Sequence, residues 1–145
     1  MSVIVFGDYL KWIQDHSGGG EPVDRLISFC ILSDREINGA VCIYDWVEGE
    51  YAYVGGASTT PLWCSRQVMM TVAAIITARL KCNHTLAVVR RNNLASRRFL
   101  QKAGFVGVNS ESNLQTPDDK LTYVLTASAG AALIERMRTA DGRRR

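Results

Sequence analysis

Residues 86 to 105, which read LAVVRRNNLASRRFLQKAGF, decide the fold. The first four form an unbroken apolar run, which is typical of a strand covered on both faces. Asn92 or Asn93 can then cap a helix by accepting a hydrogen bond from an unpaired amide of its first turn. Gly104 suits the left-handed residue just past the last turn. The stretch therefore predicts a buried strand, a turn and a short helix.

The predicted helix has one apolar side. Ala95, Phe99 and Ala103 recur every four residues with Leu100 beside them. We expect this side to pack against a sheet and the other side to face solvent or an anion. The polar side comprises Arg97, Arg98, Gln101 and Lys102.

A second helix is predicted just before this stretch, from Trp63 or Ser65 to about Leu80, and it is apolar nearly all round. A helix of that kind is buried. Because it follows one strand and leads into the next, the three elements predict a parallel crossover, which should be right-handed. The free amides and the dipole at the start of the helix favour an anion there, and Arg66 adds positive charge.

The chain before that crossover reads as an antiparallel meander. Apolar runs at residues 26–32, 37–47 and 51–57 are separated by short polar turns, which join antiparallel neighbours. The third run meets Gly55 and Gly56, and paired glycines in a strand indicate a bulge or a close approach of something to the backbone. We therefore expect a ligand at this point.

The two ends of the chain complete the predicted sheet. Residues 2–6 read as a strand or extended arm, followed by a helix up to about His16 and a glycine-rich loop. After Phe105 come a short apolar segment, a polar loop and a last strand at 121–126. The prediction is a single α+β domain with a mixed sheet over residues 1–126. The basic tail over 127–145 is predicted to be helical over 127–137 and disordered at 143–145.

Composition limits the function. The 145 residues suffice for one domain with a substantial core, and 47% apolar with 21% charged residues is typical of a globular protein. The net charge of +3 belongs to the tail, since residues 136–145 alone carry +4 and the rest −1. The sequence therefore predicts no nucleic-acid partner. Apolar stretches too short for a membrane span and the absence of a secretory signal pattern predict a cytoplasmic protein.

No metal or redox site is predicted. The four cysteines are widely separated without a short ligand spacing, so we expect reduced, buried side chains. The two histidines are also far apart. These residues are Cys30, Cys42, Cys64, Cys82, His16 and His84.

The opening stretch resembles the GNAT superfamily of N-acetyltransferases. The shared pattern is Val, three residues, Asn, two residues, Ala or Ser, then seven residues and Gly-Phe, with Lys two positions before the glycine. The order of the predicted elements over about residues 26 to 126 is also similar to this family. The start of the second helix, Trp-Cys-Ser-Arg-Gln at 63–67, looks similar to acetyltransferase-like proteins of bacteriophages. The matching residues are Val89, Asn93, Ser96, Lys102, Gly104 and Phe105.

The resemblance implies an acetyl-coenzyme A (acetyl-CoA) site with three parts. The pantetheine arm would pair with the backbone of Val54, Gly55, Gly56 and Ala57. The pyrophosphate would lie on the start of the second helix, at Cys64, Ser65, Arg66, Gln67 and Val68. The third helix would face the cofactor with Asn93, Ser96, Arg97 and Leu100.

The resemblance also implies direct attack of an amine on the thioester. Glu50 or Asp45 could act as base and Tyr51 or Tyr53 as the acid that protonates the thiolate, with Glu50 and Tyr53 preferred. Two features depart from the family: no glycine-rich phosphate loop lies between residues 59 and 71, and Leu100 stands where many members have a tyrosine.

Two functions follow as hypotheses. The first is an acetyl-CoA-dependent N-acetyltransferase acting on an amine of a small molecule or protein. The alternative, based on the two departures, is a weakly active or inactive protein of the same fold that binds a host or cellular protein. A homodimer formed through the C-terminal segment or a sheet edge is a further expectation.

Overall fold

A computed structural model describes residues 2–17, 22–60, 65–108 and 120–143, with side chains up to 139 in the last segment. Seven strands form one mixed sheet in the order β1-β2-β3-β4-β5-β7-β6. The strands are β1 (Ser2–Phe6), β2 (Leu26–Ser33), β3 (Glu36–Val47), β4 (Tyr51–Ser58), β5 (His84–Arg90), β6 (Val106–Gly107) and β7 (Lys120–Leu125). The helices are α1 (Leu10–Ser17), α2 (Arg66–Ala74), α3 (Leu94–Ala103) and α4 (Ala127–Arg143). The predicted fold class is confirmed.

The meander forms as predicted. β1, β2, β3 and β4 pair with their chain neighbours in antiparallel fashion. Asp34 and Arg35 join β2 to β3 with φ of 52° and 67°. Two consecutive positive φ values are typical of the tight hairpin turn whose twist matches that of the strands.

The helices lie on both faces of the sheet. On the face that we call the α1 face, Ile13 packs against Cys30, Ala40, Cys42 and Ala57. On the opposite face, which we call the α2 face, Val68 of α2 packs in a core cluster with Phe29 and Ile43. Val54 packs against this cluster and also against the cluster beneath α3, so α2 and α3 share one face.

A π-helical turn, Ile75–Arg79, continues α2. Its wider turn places both Ile75 and Ile76 in the core, together with Leu80. The expectation that this helix is buried all round is wrong, because Gln67 and Ala74 are exposed. One side of the helix packs on the sheet, whereas Thr77 and Ala78 are exposed as well.

The predicted packing side of α3 is wrong in part. Leu100 and Ala103 are buried as expected, but Ala95 is exposed and Phe99 is 43% exposed. The side that faces the sheet is rotated towards Ser96 and Arg97, which are half-buried. Arg97 is accommodated there because its guanidinium is hydrogen-bonded to two groups of the protein.

The C-terminal helix is longer than the sequence predicted. α4 runs to Arg143, so disorder at this residue is a wrong prediction, while residues 144–145 lie outside the described part. α4 contacts α2, and a Cβ built on Gly104 would lie 3.8 Å from Cβ of Ala129. Within the described residues, every helix is too short or too polar to cross a membrane.

Candidate active site

Two parallel neighbours in the middle of the sheet separate after a short pairing. β4 and β5 pair only from Tyr51 with His84 to Tyr53 with Leu86. Beyond this point β4 continues along β3, and β5 continues along β7. We call this opening the fork. Each strand presents backbone amides and carbonyls towards the fork, which suits an extended ligand that carries amide groups of its own.

Gly55 and Gly56 lie on the β4 side of the fork. The ladder with β3 runs regularly past both glycines, and its register shift falls between Tyr44 and Val47 instead. A bulge is therefore not the reason for the glycines. A Cβ on Gly55 would lie 3.5 Å from Sγ of Cys42 and 3.6 Å from the ring of Tyr44, which is ordinary contact. The fold therefore does not require a glycine at 55, and a ligand beside this residue stays a prediction.

α2 follows β4 in the chain, and Val68 in its first turn belongs to the cluster against which Val54 of β4 packs. Ser65 caps the helix, since its Oγ accepts a hydrogen bond from the amide of Val68 at 3.3 Å. Val68 is the last residue of the predicted phosphate-binding segment. Its side chain is buried in the core, and its amide donates the hydrogen bond of the cap. Arg66 is half-buried and Gln67 exposed, and the first amides of a helix have no intrahelical acceptor. Cys64, which the sequence also placed here, lies outside the described residues.

α3 begins just after β5 ends. Of the two asparagines that could cap it, Asn93 does so, because its Oδ1 accepts from the amide of Ser96 at 3.2 Å. The side-chain nitrogen Nδ2 of Asn93 and the hydroxyl of the half-buried Ser96 are then the polar side-chain groups that a ligand could contact at this helix start. Leu100 is buried in the cluster that Val54 also contacts, so α3 lies along the fork on the α2 face.

The guanidinium of Arg97 is held by hydrogen bonds to other groups of the protein. Its Nε donates to the hydroxyl of Tyr123 at 3.2 Å, and its Nη1 donates to the carbonyl of Arg91 at 2.9 Å. Tyr123 belongs to β7, which lies on the far side of β5 from β4. These two bonds hold Arg97 against β7 and the turn before α3, and its contact with the cofactor stays a prediction.

Tyrosines line the fork on the α1 face. Tyr53 lies where the pairing with β5 ends, and its ring stacks on Tyr44 with centroids 5.3 Å apart. Tyr51 meets it edge-on at 5.8 Å. Burial, with smaller contributions from Cys42, Tyr53 and Asp45, raises the pKa of Tyr44 to about 12. The phenol of Tyr44 is thus protonated at neutral pH.

The two candidate bases differ in their surroundings. Oδ1 of Asp45 accepts from the amides of Asp24 at 2.7 Å and Arg25 at 3.1 Å, so this carboxylate holds a loop in place. Its φ of 46° fits the irregularity in β3. Glu50 is exposed in the turn before β4, three residues or about 10 Å of strand from Tyr53.

Tyr44 was missed by the sequence reasoning. The pairing of Tyr44 with Tyr53 depends on the irregularity in β3 just after Tyr44. No pattern of residues in the sequence predicts this irregularity. A cross-strand search for aromatic pairs would have found it only with the correct register. Among the described residues no group of His, Cys, Asp or Glu side chains could hold a metal ion.

Comparisons with known proteins concern the fold. No family model and no curated protein matches the sequence. Among solved structures, the mutant forms of the spermidine/spermine N-acetyltransferase SpeG from Vibrio cholerae match with a TM-score of 0.66 and 11% identity, over 91% of this chain and 98% of SpeG. The N-acetyltransferase PseH from Campylobacter jejuni, in complex with acetyl-CoA, matches at 0.54 and 15%. An acetyltransferase of the GNAT family from Bacillus anthracis matches at 0.55 and 13%.

The match to PseH covers 70% of this chain and 67% of PseH, and the match to the Bacillus anthracis enzyme covers 70% and 66%. The chain therefore spans about two thirds of the length of these structures. At such identities the likeness concerns the fold alone. The chain has the fold of the GNAT acetyltransferases.

Proposed function

We propose that the protein is an acetyl-CoA-dependent N-acetyltransferase that transfers the acetyl group to a primary amine. The fork between β4 and β5 is the observation that carries this proposal. The exposed backbone edges of the fork and Gly55 suit the amide-containing end of a ligand. The start of α2 suits phosphates at the other end of the same ligand. PseH, which shares the fold, is in complex with acetyl-CoA.

The predicted residues would hold the cofactor in order along the fork. The backbone of Val54, Gly55, Gly56 and Ala57 would pair with the pantetheine amides. The first amides of α2 would bind the pyrophosphate, helped by the helix dipole and Arg66. Asn93 and Ser96 would contact the cofactor from α3. Leu100 would supply an apolar contact.

The chemistry that these residues would support is direct acyl transfer. The nitrogen lone pair of a neutral amine forms the new C–N bond at the thioester carbonyl, and the C–S bond breaks. An amide of Val54 or Gly55 would stabilise the oxyanion. The hydroxyl of Tyr53 would protonate the departing thiolate, and Glu50 would accept the proton of the amine through water.

Calorimetry with acetyl-CoA tests the proposal directly. We expect saturable binding with one site per chain, and release of free thiol when an amine is added. Arg66→Ala should weaken binding several-fold, whereas Arg138→Ala on the exposed side of α4 should not. A wild-type protein that does not bind acetyl-CoA at millimolar concentration would refute the proposal.

A second candidate function is a protein of this fold that binds a host or cellular protein without turnover. It is supported by Leu100, which is buried and cannot act as an acid where the resembling family has tyrosine. Saturable acetyl-CoA binding with no thiol released from a broad panel of amines would favour this candidate.

Self-association through a sheet edge is proposed on separate grounds. β1 is an edge strand on which Val3, Val5 and Phe6 are 37 to 55% exposed, and an apolar edge without charged residues invites pairing with a second copy. Light scattering of wild type and Val5→Lys would test it. A bacteriophage origin remains a prediction from the sequence at 63–67, of which residues 63–64 lie outside the described part.

A further inference from the structure

The side chain that Gly55 lacks would lie on the α1 face, at the opening of the fork. Gly55 is the cross-strand partner of Cys42, and a Cβ built on it would lie 3.5 Å from Sγ of Cys42. No atom of α1 lies within 4 Å of that position, although α1 packs on Ala57, the next residue of β4 on this face. We call this space the Gly55 recess.

Tyrosine rings border the Gly55 recess on the side away from Ala57. Tyr44 and Tyr53 form the cross-strand pair two residues along from Cys42 and Gly55, and their rings stack with 5.3 Å between centroids and 21° between planes. Tyr51 meets Tyr53 edge-on. All three tyrosines are half-buried, so part of each remains accessible. The rings hold one another in place, which suits a preformed binding surface.

The ring of Tyr44 turns its edge to the Gly55 recess. Of its atoms only Cε1 lies within 4 Å of the missing Cβ, at 3.6 Å. A ring met on its face brings more atoms close, as on Gly107, where a Cβ would have three ring atoms of Tyr123 within 4 Å. The edge of an aromatic ring carries partial positive charge, whereas its face is negative. The edge of Tyr44 therefore favours the face of another aromatic ring and disfavours an ammonium group.

The other described side chains around the Gly55 recess are uncharged and carry no amide group. Cys42 and Ala57 belong to the core of the α1 face, and Leu86, the partner of Tyr53 on β5, is half-buried. Burial raises the pKa of the Cys42 thiol to about 11, so this group is neutral at neutral pH. A charged or polyhydroxylated group would lose hydration here with few groups to replace the lost hydrogen bonds.

We propose that the acceptor is a primary amine joined by a short linker to an aromatic ring. The ring would lie on Gly55 with its face towards the edge of Tyr44, and the amine would reach the thioester in the fork. The pantetheine would pair with the backbone edge of β4 in the plane of the sheet, so the two ligands would occupy different sides of Gly55. This inference rests on the proposed acetyltransferase function.

Three primary amines test the proposed acceptor class: phenylethylamine, cyclohexylethylamine and glucosamine. Thiol release from acetyl-CoA should give a KM for phenylethylamine about threefold to tenfold below that for cyclohexylethylamine, and the highest KM for glucosamine. The first two compounds share the amine, the linker and a ring of six carbons, so the difference in KM reports the flat aromatic ring alone.

Substitution of Tyr44 locates the aromatic ring of the acceptor. Tyr44→Leu should raise the KM for phenylethylamine about threefold to tenfold and leave that for cyclohexylethylamine within about twofold. Tyr44→Phe keeps the ring and should leave both values within about twofold of wild type. Phe6→Leu is the matched control, because it breaks a ring pair with the same 5.3 Å between centroids on the edge strand β1, and it should change neither value. Affinity for acetyl-CoA should be unchanged in all three variants.

Each contrary outcome has a distinct meaning. An equal or lower KM for cyclohexylethylamine or glucosamine, or turnover of none of the three amines by a protein that binds acetyl-CoA, overturns the acceptor class. If Tyr44→Leu raises the KM for both ring amines equally, Tyr44 supports the fold of the site and the inference is wrong. If Tyr44→Leu does not fold, the values for wild type and Tyr44→Phe decide. If the wild type does not bind acetyl-CoA at all, the proposed function itself has failed.

Discussion

Nε of Arg97 donates a hydrogen bond to the hydroxyl of Tyr123 over 3.2 Å, and this contact joins α3 to β7. A second bond from the same guanidinium, to the carbonyl of Arg91, holds the turn that leads into α3. Arg97 therefore positions the helix that lies along the fork, and its contacts are to the protein. The resemblance had implied that it contacts the cofactor.

Loss of the Arg97 contact should lower stability more than cofactor affinity. Arg97→Ala leaves the buried hydroxyl of Tyr123 without this partner, and we expect a loss of about 1 to 3 kcal/mol in the free energy of unfolding. Tyr123→Phe removes the hydroxyl as well and should cost about 1 kcal/mol. Urea unfolding measures both. A protein of unchanged stability with tenfold weaker acetyl-CoA binding would instead favour a direct cofactor contact.

Asn93 should have two separable roles. Asn93→Ala removes the cap of α3 and should cost about 1 kcal/mol of stability, together with a several-fold loss of acetyl-CoA affinity. Asn93→Asp keeps the cap acceptor but removes the amide donor, so only the affinity should fall. Thr126→Ala, which removes a comparable cap from α4, is the control for stability alone. Equal affinities in all three variants and the wild type would contradict the ligand role.

Gly55→Ala should separate turnover from folding. The added Cβ fits the strand at 3.5 Å from its nearest neighbour, so the melting temperature should stay within a degree or two of wild type. Because this Cβ lies at the opening on the α1 face, kcat/KM for the amine should fall about tenfold or more. Gly107→Ala, which also places its Cβ 3.5 Å from a ring, is the control. Unchanged kcat/KM would show that the amine does not pass Gly55.

Stability should fall at alkaline pH because of Cys42. Burial raises the pKa of this thiol from 9.0 to about 11. Between these values the folded chain binds more protons than the unfolded chain, so the contribution is complete below about pH 9 and is lost as the pH rises towards 11. Urea unfolding under reducing conditions at several alkaline pH values should show a steeper loss for wild type than for Cys42→Val. Equal slopes would contradict this assignment.

The sequence predicted those parts of the fold that local patterns determine. Apolar runs separated by short turns predicted the meander. Asn93 and Gly104 predicted the two ends of α3, and Gly104 has the left-handed φ, 107°, expected just past a helix. The side of α3 that packs was misjudged because side-chain pattern alone counts Arg97 as a surface residue. Its partner Tyr123 is 26 positions away, and such a contact has no local signal.

The site was predictable to the level of its backbone. The glycines of β4 and the starts of two helices pointed to the fork, and the structure brings Gly55, Ser65 and Asn93 onto the elements that border it. Tyr44 could not be found, because an irregularity in β3 sets its position opposite Tyr53.

The fork also has a mechanical consequence. β1, β2, β3 and β4 form one half of the sheet, and β5, β6 and β7 form the other. Within the described sheet the two halves are joined by three residue pairs, from Tyr51 with His84 to Tyr53 with Leu86. This seam is shorter than the antiparallel pairings among β1, β2, β3 and β4, and its amides should exchange with solvent faster than those of β2 and β3. A ligand that hydrogen-bonds to both strands would extend the seam along the fork. Binding would then convert two loosely joined half-sheets into one cooperative unit.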